Sequence, residues 1–572
     1  MTSMTLRQPA SSGPPKGLLW LLLVLVALLS LLPSLRLLVS ALLDWQQGSN
    51  SSLGRVLSNP ATWTALYNSL YTSGLGTLLS LLLGGLFAFC LALTNIRLKQ
   101  TWVFLFMLPM MIPPQVTALS WLQLFGPSSI VLTSLGIAPS FGSTNPLYSA
   151  EGIALLLGIQ HAPLVFLALR TQLQCLPKEQ IEAARLNGAS LWRVFIDIVL
   201  PLCRTALWAS AAIAFVSALG NFGIPAMLGI PISYFVLPIQ IYQSLSSFGP
   251  SMLSDVAALS VLMGVLAIGI VSLQGYLQRR HALPLIGMAG RALDFQLGKW
   301  RLVTELLLGT VLFAILVAPL LALITTSLVP TLGVPLNAQT LTFNAYHAML
   351  ESGSATWRAL SNSLLLSVSA ALVLMLLSLP LAWLLVRFPT RPLRWLHSAI
   401  DIPYTLPGVV LAIACILLFA RPLPLIGISL SGTLLIIFFA YLARFLTVCL
   451  KPLHNSMLQL DPAMEEAASL AGANFSQRLR HIVLPLLAPA AFAGALLVFL
   501  TAVNELTVSA LLWSAGKETL GVVIFNLDES GDKVLASAIS VLVVALVALV
   551  MLMLMLSGLG RYLPKGVIPW QN

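Results

Sequence analysis

Apolar runs long enough to cross a bilayer as a helix, about 20 residues each, recur along the whole chain with short polar stretches between them. They predict about twelve spans, at approximately 18–43, 66–94, 103–125, 152–173, 201–220, 253–277, 303–328, 361–386, 396–420, 430–450, 485–504 and 534–559. Arg7 and Lys16 precede the first run, as they would in a secretion signal. That run is longer than the roughly 7–15 apolar residues of a signal and has no convincing cleavage site, so it reads as an uncleaved span. The fold class that follows is an all-α membrane protein.

Composition agrees. Of 572 residues, 58% are apolar and 8% charged, where a soluble domain carries roughly 25% charged. The mean hydropathy is +0.96. A cytosolic enzyme, a nucleic-acid reader and a secreted disulfide scaffold are thereby excluded. The net charge of +11 is a topology signal. With the N-terminus inside, the inside loops hold Arg97, Lys99, Lys178, Arg185, Arg193, Arg279, Arg280, Arg291, Lys299, Arg301, Arg387, Arg391, Arg394, Arg478, Arg480, Arg561 and Lys565. The outside loops hold only Arg55, Arg358, Arg421, Lys517 and Lys533. Both termini, residues 1–17 and 561–572, are therefore expected in the cytoplasm. The five scattered cysteines show no metal-ligand spacing and read as small buried hydrophobes.

An internal repeat sets the domain plan. Trp63-Thr-Ala-Leu-Tyr-Asn68-Ser69-Leu70 returns as Trp357-Arg-Ala-Leu-Ser-Asn362-Ser363-Leu364, an offset of 294 that also relates Pro109 and Pro113 to Pro403 and Pro407. Further on the offset is 284, because the first half carries about ten extra residues, placed most plausibly in the Gly/Ser/Pro-rich loop near 126–150. Two parallel halves, 18–277 and 302–560, are joined by a polar linker at 278–301, and parallel repeats place a pathway at their interface.

The most specific motif lies in the largest inside loop of each half, at 177–200 and 458–484. Glu182-Ala183-Ala184-x-x-x-Gly188 is followed after nine residues by Ile198-x-Leu200-Pro201, and Glu466-Ala467-Ala468-x-x-x-Gly472 by Ile482-x-Leu484-Pro485. Strong helix formers start each copy, the glycine suits a left-handed stop, and an amphipathic stretch leads to a proline at the next span. Each loop is thus a predicted helix-turn-helix projecting from the membrane.

With both copies complete, the sequence resembles the membrane permeases of binding-protein-dependent ABC importers, as two fused type I-like permease domains of six helices each. The resemblance implies that Glu182, Ala183, Ala184 and Gly188, with Glu466, Ala467, Ala468 and Gly472, dock a cytoplasmic ABC ATPase dimer. It also implies a periplasmic substrate-binding protein as partner and a bacterial inner-membrane location. The chain itself offers no phosphate-binding loop, since Gly516-Lys517-Glu518 lacks the upstream glycine and the Ser or Thr after lysine. No catalytic residues, cofactor or resident metal site are expected.

Within the spans, Asp401 and Glu505 are costly in lipid and are candidate pathway residues, with Asn221 as the uncharged equivalent of Glu505 and Met107 that of Asp401. The prolines of spans three and nine free backbone carbonyls, as kinks or as cavity lining. Gly220-Asn-Phe-Gly-Ile-Pro225 and Asn504-Glu-Leu-Thr-Val-Ser509 read as irregular gate segments facing the binding protein. Those segments, in a fused pair of domains, look most like the ferric iron branch of the family, ahead of 2-aminoethylphosphonate, thiamine and polyamine permeases. An ion-coupled secondary transporter is the competing class, but titratable residues at the midplane are scarce and it gives no reason for the duplicated loop motif.

Overall fold

The computed structural model describes residues 16–556 apart from 44–47, 49, 141, 177, 248–250, 282–294, 389, 423–426 and 428. Most of the linker and both predicted tails, with Arg291, Arg561 and Lys565, lie outside the described residues. Among the described residues the regular structure is helical, with an isolated β-bridge between Thr94 and Phe295. Among the described residues ten helices are long and apolar enough to cross a membrane, or up to 13 if three bent pairs each count as one span, a range that brackets the expected twelve.

In the first half, α1 (Leu19–Leu42) precedes α2 (Pro60–Leu93), α3 (Lys99–Met111), α4 (Pro114–Phe125) and α5 (Ala150–Gln174). Then come α6 (Lys178–Leu186), α7 (Trp192–Leu202), α8 (Arg204–Leu219), α9 (Gly223–Gly229), α10 (Leu237–Leu245) and α11 (Met252–His281). The second half repeats the order with α12 (Trp300–Ser327), α13 (Ala355–Arg387), α14 (Arg391–Ile400), α15 (Gly408–Phe419) and α16 (Leu434–Gln459). It ends with α17 (Pro462–Leu470), α18 (Ser476–Val503), α19 (Ser509–Leu512), α20 (Leu520–Glu529) and α21 (Lys533–Leu556).

Local chemistry explains the boundaries. α2 starts before the apolar run because Asn59 Oδ1 accepts the Ala61 N–H at 3.0 Å and Pro60 needs no partner in a first turn. Ser354 caps α13 in the same way through Trp357 N–H at 3.1 Å. α2 packs closely on α5 along Gly76, Ser80 and Gly84, a stripe of small residues at four-residue spacing. A Cβ on Gly84 would lie 2.5 Å from the Ala162 carbonyl, and Ser80 Oγ donates to the Gly158 carbonyl at 2.9 Å.

The π-turns share one cause. Among the described residues they occupy Ala27–Leu31, Phe195–Val199, Phe313–Val317 and Leu479–Val483, and each is followed by one residue and then by Pro33, Pro201, Pro319 or Pro485. Proline cannot donate to the carbonyl four residues back and its ring crowds that group, so the helix widens by one residue before it. This accounts for the Leu-Pro that ends both loop motifs.

The two halves are interlaced. The C-terminal part of α1 packs on α15 of the second half, where Arg36 Nε donates to the Leu417 carbonyl at 3.3 Å. Reciprocally, the C-terminal part of α12 packs on α4 of the first half. Each also packs on the last helix of its own half, α11 or α21.

The predicted spans three and nine are not straight. In the second half Arg391–Thr405 and Gly408–Phe419 meet at 106°. The residue before a proline is driven out of helical conformation, and the breaks fall at Ile112-Pro113 and Leu406-Pro407. The segments after spans five and eleven also differ from a wholly irregular gate. Only Gly220–Phe222 and Asn504–Val508 are non-helical. α9 and α10, with the turn of helix that follows α9, form a hairpin bent by 75°, and α19 and α20 are its counterpart.

Candidate functional site

Two places concentrate the polar chemistry, at opposite ends of the bundle. The first is the pair of short helices α6 and α17, which follow the C-terminal ends of α5 and α16. In each, the spacing from Ala-Ala to Gly is that of a Schellman stop. Ala189 N–H donates to the Ala184 carbonyl and Ala473 N–H to the Ala468 carbonyl, both at 3.0 Å. The intervening Gly188 and Gly472 have φ of +82° and +86°, where a side chain is strained, and open space surrounds both.

Glu182, Ala183, Glu466 and Ala467 are exposed, Ala184 and Ala468 are half-buried, and Gly188 and Gly472 lie open. Beside them Leu186 and Leu470, equivalent in the repeat, are 89% and 87% exposed. Both leucines thus stand fully presented at the same register of a short helix between two apolar spans. The helix after α17 starts with reciprocal bonds between Asn474 and Gln477, each backbone N–H donating to the other's side chain at 2.9 Å.

The second place is the junction where the two broken helices meet the turns after α8 and α18. Gly220 lies against Pro407 of the other half, 3.4 Å from its would-be Cβ. Its repeat equivalent, Asn504, donates from Nδ2 to the Met111 carbonyl at 2.7 Å, again across the halves. The adjacent Ile112 carbonyl, turned out of the helix by the extended backbone before Pro113, accepts from Gln160 Nε2 at 3.0 Å. In the second half, Thr447 Oγ1 donates to the Ile400 carbonyl at the end of α14, ahead of the break, at 2.9 Å. The first-half break is thus held by side chains from neighbouring helices. Phe222, Tyr242 and Phe525 close the junction with ring centroids 5.2–6.4 Å apart.

Of the predicted pathway residues, the structure brings Asn221 and Glu505 to this junction. Asn221 is buried and its Oδ1 accepts the Ile224 N–H at 3.1 Å. Glu505 accepts the Val508 N–H at 2.9 Å and pairs with Arg444 at 3.5 Å. Asp401 lies apart, at the end of α14, half-exposed and 3.7 Å from Lys451.

Several residues escaped the sequence reading. Arg444, a lone basic residue inside an apolar run, was the available signal for the partner of Glu505. At the repeat offset of 284 it corresponds to Gln160, so an Arg–Glu pair in one half stands where the other has Gln and Asn. Gly408 leaves the guanidinium room, because a Cβ there would collide with Arg444 Nη1. The repeated Asn-Ser has a role too. Asn68 Nδ2 donates to the Phe235 carbonyl at 2.9 Å and Ser69 Oγ accepts the Leu237 N–H at 2.7 Å. Asn362 and Ser363 bind the Glu518 carbonyl and the Leu520 N–H at 3.0 and 2.8 Å. Each pair staples a hairpin to the start of α2 or α13. Among the described residues, no group of three or more His, Cys, Asp or Glu side chains could hold a metal ion.

Two interlaced bundles of like topology, each with a projecting stop-capped helix at one end and a hairpin at the other, define a multi-pass membrane transport subunit. The family model of the binding-protein-dependent transport system inner membrane component matches residues 76–282 and again 375–568, and the chain belongs to that family, as an ABC permease with two fused domains. It is 28% identical over 393 residues to the probable ABC transporter permease protein y4fN of Sinorhizobium fredii, covering 67% of each chain. It is 26% identical to the ferric transport system permease protein FbpB of Actinobacillus pleuropneumoniae, over 93% of this chain and 76% of that one. The putative ferric transport system permease protein FbpB 1 of Haemophilus influenzae is 27% identical, over 87% and 77%.

Proposed function

We propose that the chain supplies both membrane halves of a bacterial inner-membrane importer for ferric iron, with both termini in the cytoplasm and a separate ATPase dimer as its motor. The observation that carries this reading is the duplicated surface at Glu182–Gly188 and Glu466–Gly472, each copy a stop-capped helix with an exposed leucine. One ATPase copy would seat on each. ATP-driven closure of that dimer draws α6 and α17 together and tilts the halves. The junction then opens outward to a loaded binding protein, and hydrolysis reverses the tilt. The iron assignment is supported by the two FbpB relatives, which match most of the chain. Asn221 and Glu505 would line the pathway at the junction and Asp401 its inner end.

The test joins binding to uptake. A left-handed backbone costs a non-glycine residue roughly 1–2 kcal/mol, so Gly188→Val with Gly472→Val should lower ATPase co-purification at least tenfold while membrane insertion persists. ATP-driven accumulation of radiolabelled iron in vesicles should fall in parallel. Undiminished ATP-driven uptake by the double variant would refute the docking assignment, and uptake of another solute instead of iron would refute the cargo alone.

A further inference from the structure

At one matched set of positions the two docking helices meet the bundle by different chemistry. Glu465, immediately before the Glu466-Ala-Ala motif, is buried and faces inward from α17. Its Oε1 accepts from Arg387 Nε at 2.7 Å and its Oε2 from the Trp383 indole N–H at 2.8 Å. Arg387 also donates from Nη2 to the Leu460 carbonyl at 3.2 Å, where α16 ends. One guanidinium therefore joins the last turn of α13, the end of α16 and the docking helix. The Arg387 and Glu465 side chains are only 16% and 11% exposed.

The repeat offsets place Ile181 at the position of Glu465, Leu93 at that of Arg387 and Phe89 at that of Trp383. Ile181 and Leu93 are fully buried and belong with Phe89 to the same apolar core. At these positions α6 meets the bundle by apolar packing, which is non-directional and lets surfaces slide. α17 is held by charge-assisted bonds of fixed direction.

We propose that Glu465 is a positioning residue, which locks α17 to α13 through Arg387 and Trp383 so that movement of the docking helix is passed as a rigid-body displacement to the second half. Its carboxylate bonds Arg387 and Trp383 inside the bundle, while the predicted ATPase contacts Glu466 and Ala467 face outward. This inference rests on the coupling reading above, and it adds that the two halves transmit unequally, with the second as the stiffer lever.

The experiment uses the full chain with its ATPase in lipid nanodiscs and follows two distances by pulsed electron paramagnetic resonance. Spin labels on non-canonical residues leave the five native cysteines in place. One pair replaces Glu179 and Ala463, exposed on α6 and α17, and the other Ile232 and Lys517, in the hairpin regions at the opposite end. Adding ATP and vanadate to the otherwise unaltered chain should shorten the first distance and lengthen the second. In Glu465→Gln and in Arg387→Met the first change should persist and the second fall by half or more. The triple variant Glu465→Ile, Arg387→Leu, Trp383→Phe gives the second half the residues of the first and should restore the thermal unfolding midpoint while leaving the second change reduced. A simple loss of stability would weaken both distances together and would be repaired in the triple variant, which leaves no buried charge unpaired, so full recovery of the second change there would overturn the proposal. Equal responses at both pairs in all variants would overturn the proposal. No ATP response at either pair in the otherwise unaltered chain would instead overturn the coupling reading, and this inference with it.

Discussion

At the scale of single residues, the second half differs from the first chiefly where it buries charge. Arg444 and Glu505 have side chains 20% and 10% exposed. Breaking such a pair by removing one partner costs about 3–5 kcal/mol, whereas replacing both together can be nearly neutral. Glu505→Asn alone should therefore lower the thermal unfolding midpoint markedly. Arg444→Gln with Glu505→Asn, which reproduces the Gln160 and Asn221 of the first half, should lie close to the parent chain. Thermal scans of the purified permease in detergent check this, and a double variant no better than the single would show that the ion pair is not what stabilises the site. Arg444 was within reach of the sequence, since a guanidinium in an apolar run demands a counter-charge. Glu465 was not. It reads there as one more acid in a surface helix, and only the fold shows it turned inward onto Arg387.

At the scale of elements, the repeat and the loop motif were legible because they depend on local rules. Glycine after a helix, Leu-Pro before a span and apolar runs of spanning length act over a few residues. The hairpins were not legible, because glycine, asparagine and Pro225 read as an irregular segment. Pro238 falls in the first turn of α10, where proline is tolerated, and α9 stays helical beyond Pro225. The partners that complete the breaks were hidden as well, since Asn504 and Met111 are 393 positions apart. The staples offer a direct check on the hairpins. Ser69→Ala and Ser363→Ala each remove a bond to a buried backbone N–H, a loss worth about 1–3 kcal/mol. Amide exchange in 235–245 and in 518–529 should accelerate on the order of tenfold or more, with α6 and α17 unaffected. Unchanged protection in both hairpins would remove the staples from the account.

At the scale of the whole molecule, neither half is a self-contained body. α1 completes the surface around α15 and α12 completes that around α4, so each half leaves an apolar helix uncovered without the other. Chains ending or starting in the 282–294 linker should accumulate in membranes only when both pieces are made together. The pieces expressed singly should be degraded, which a pulse-chase experiment reads directly. Stable accumulation of either piece alone would show that the exchanged helices are dispensable.

The interlacing also bears on how the subunit is assembled. Two separate polypeptides of such similar shape could pair like with like and place two Arg444–Glu505 pairs, or two neutral Gln160–Asn221 sets, around one junction. A covalent tether raises the effective concentration of the unlike partner to about the millimolar range, far above that of any second chain in the membrane. Every assembled junction then holds one charged and one uncharged set, in a one-to-one stoichiometry fixed at synthesis.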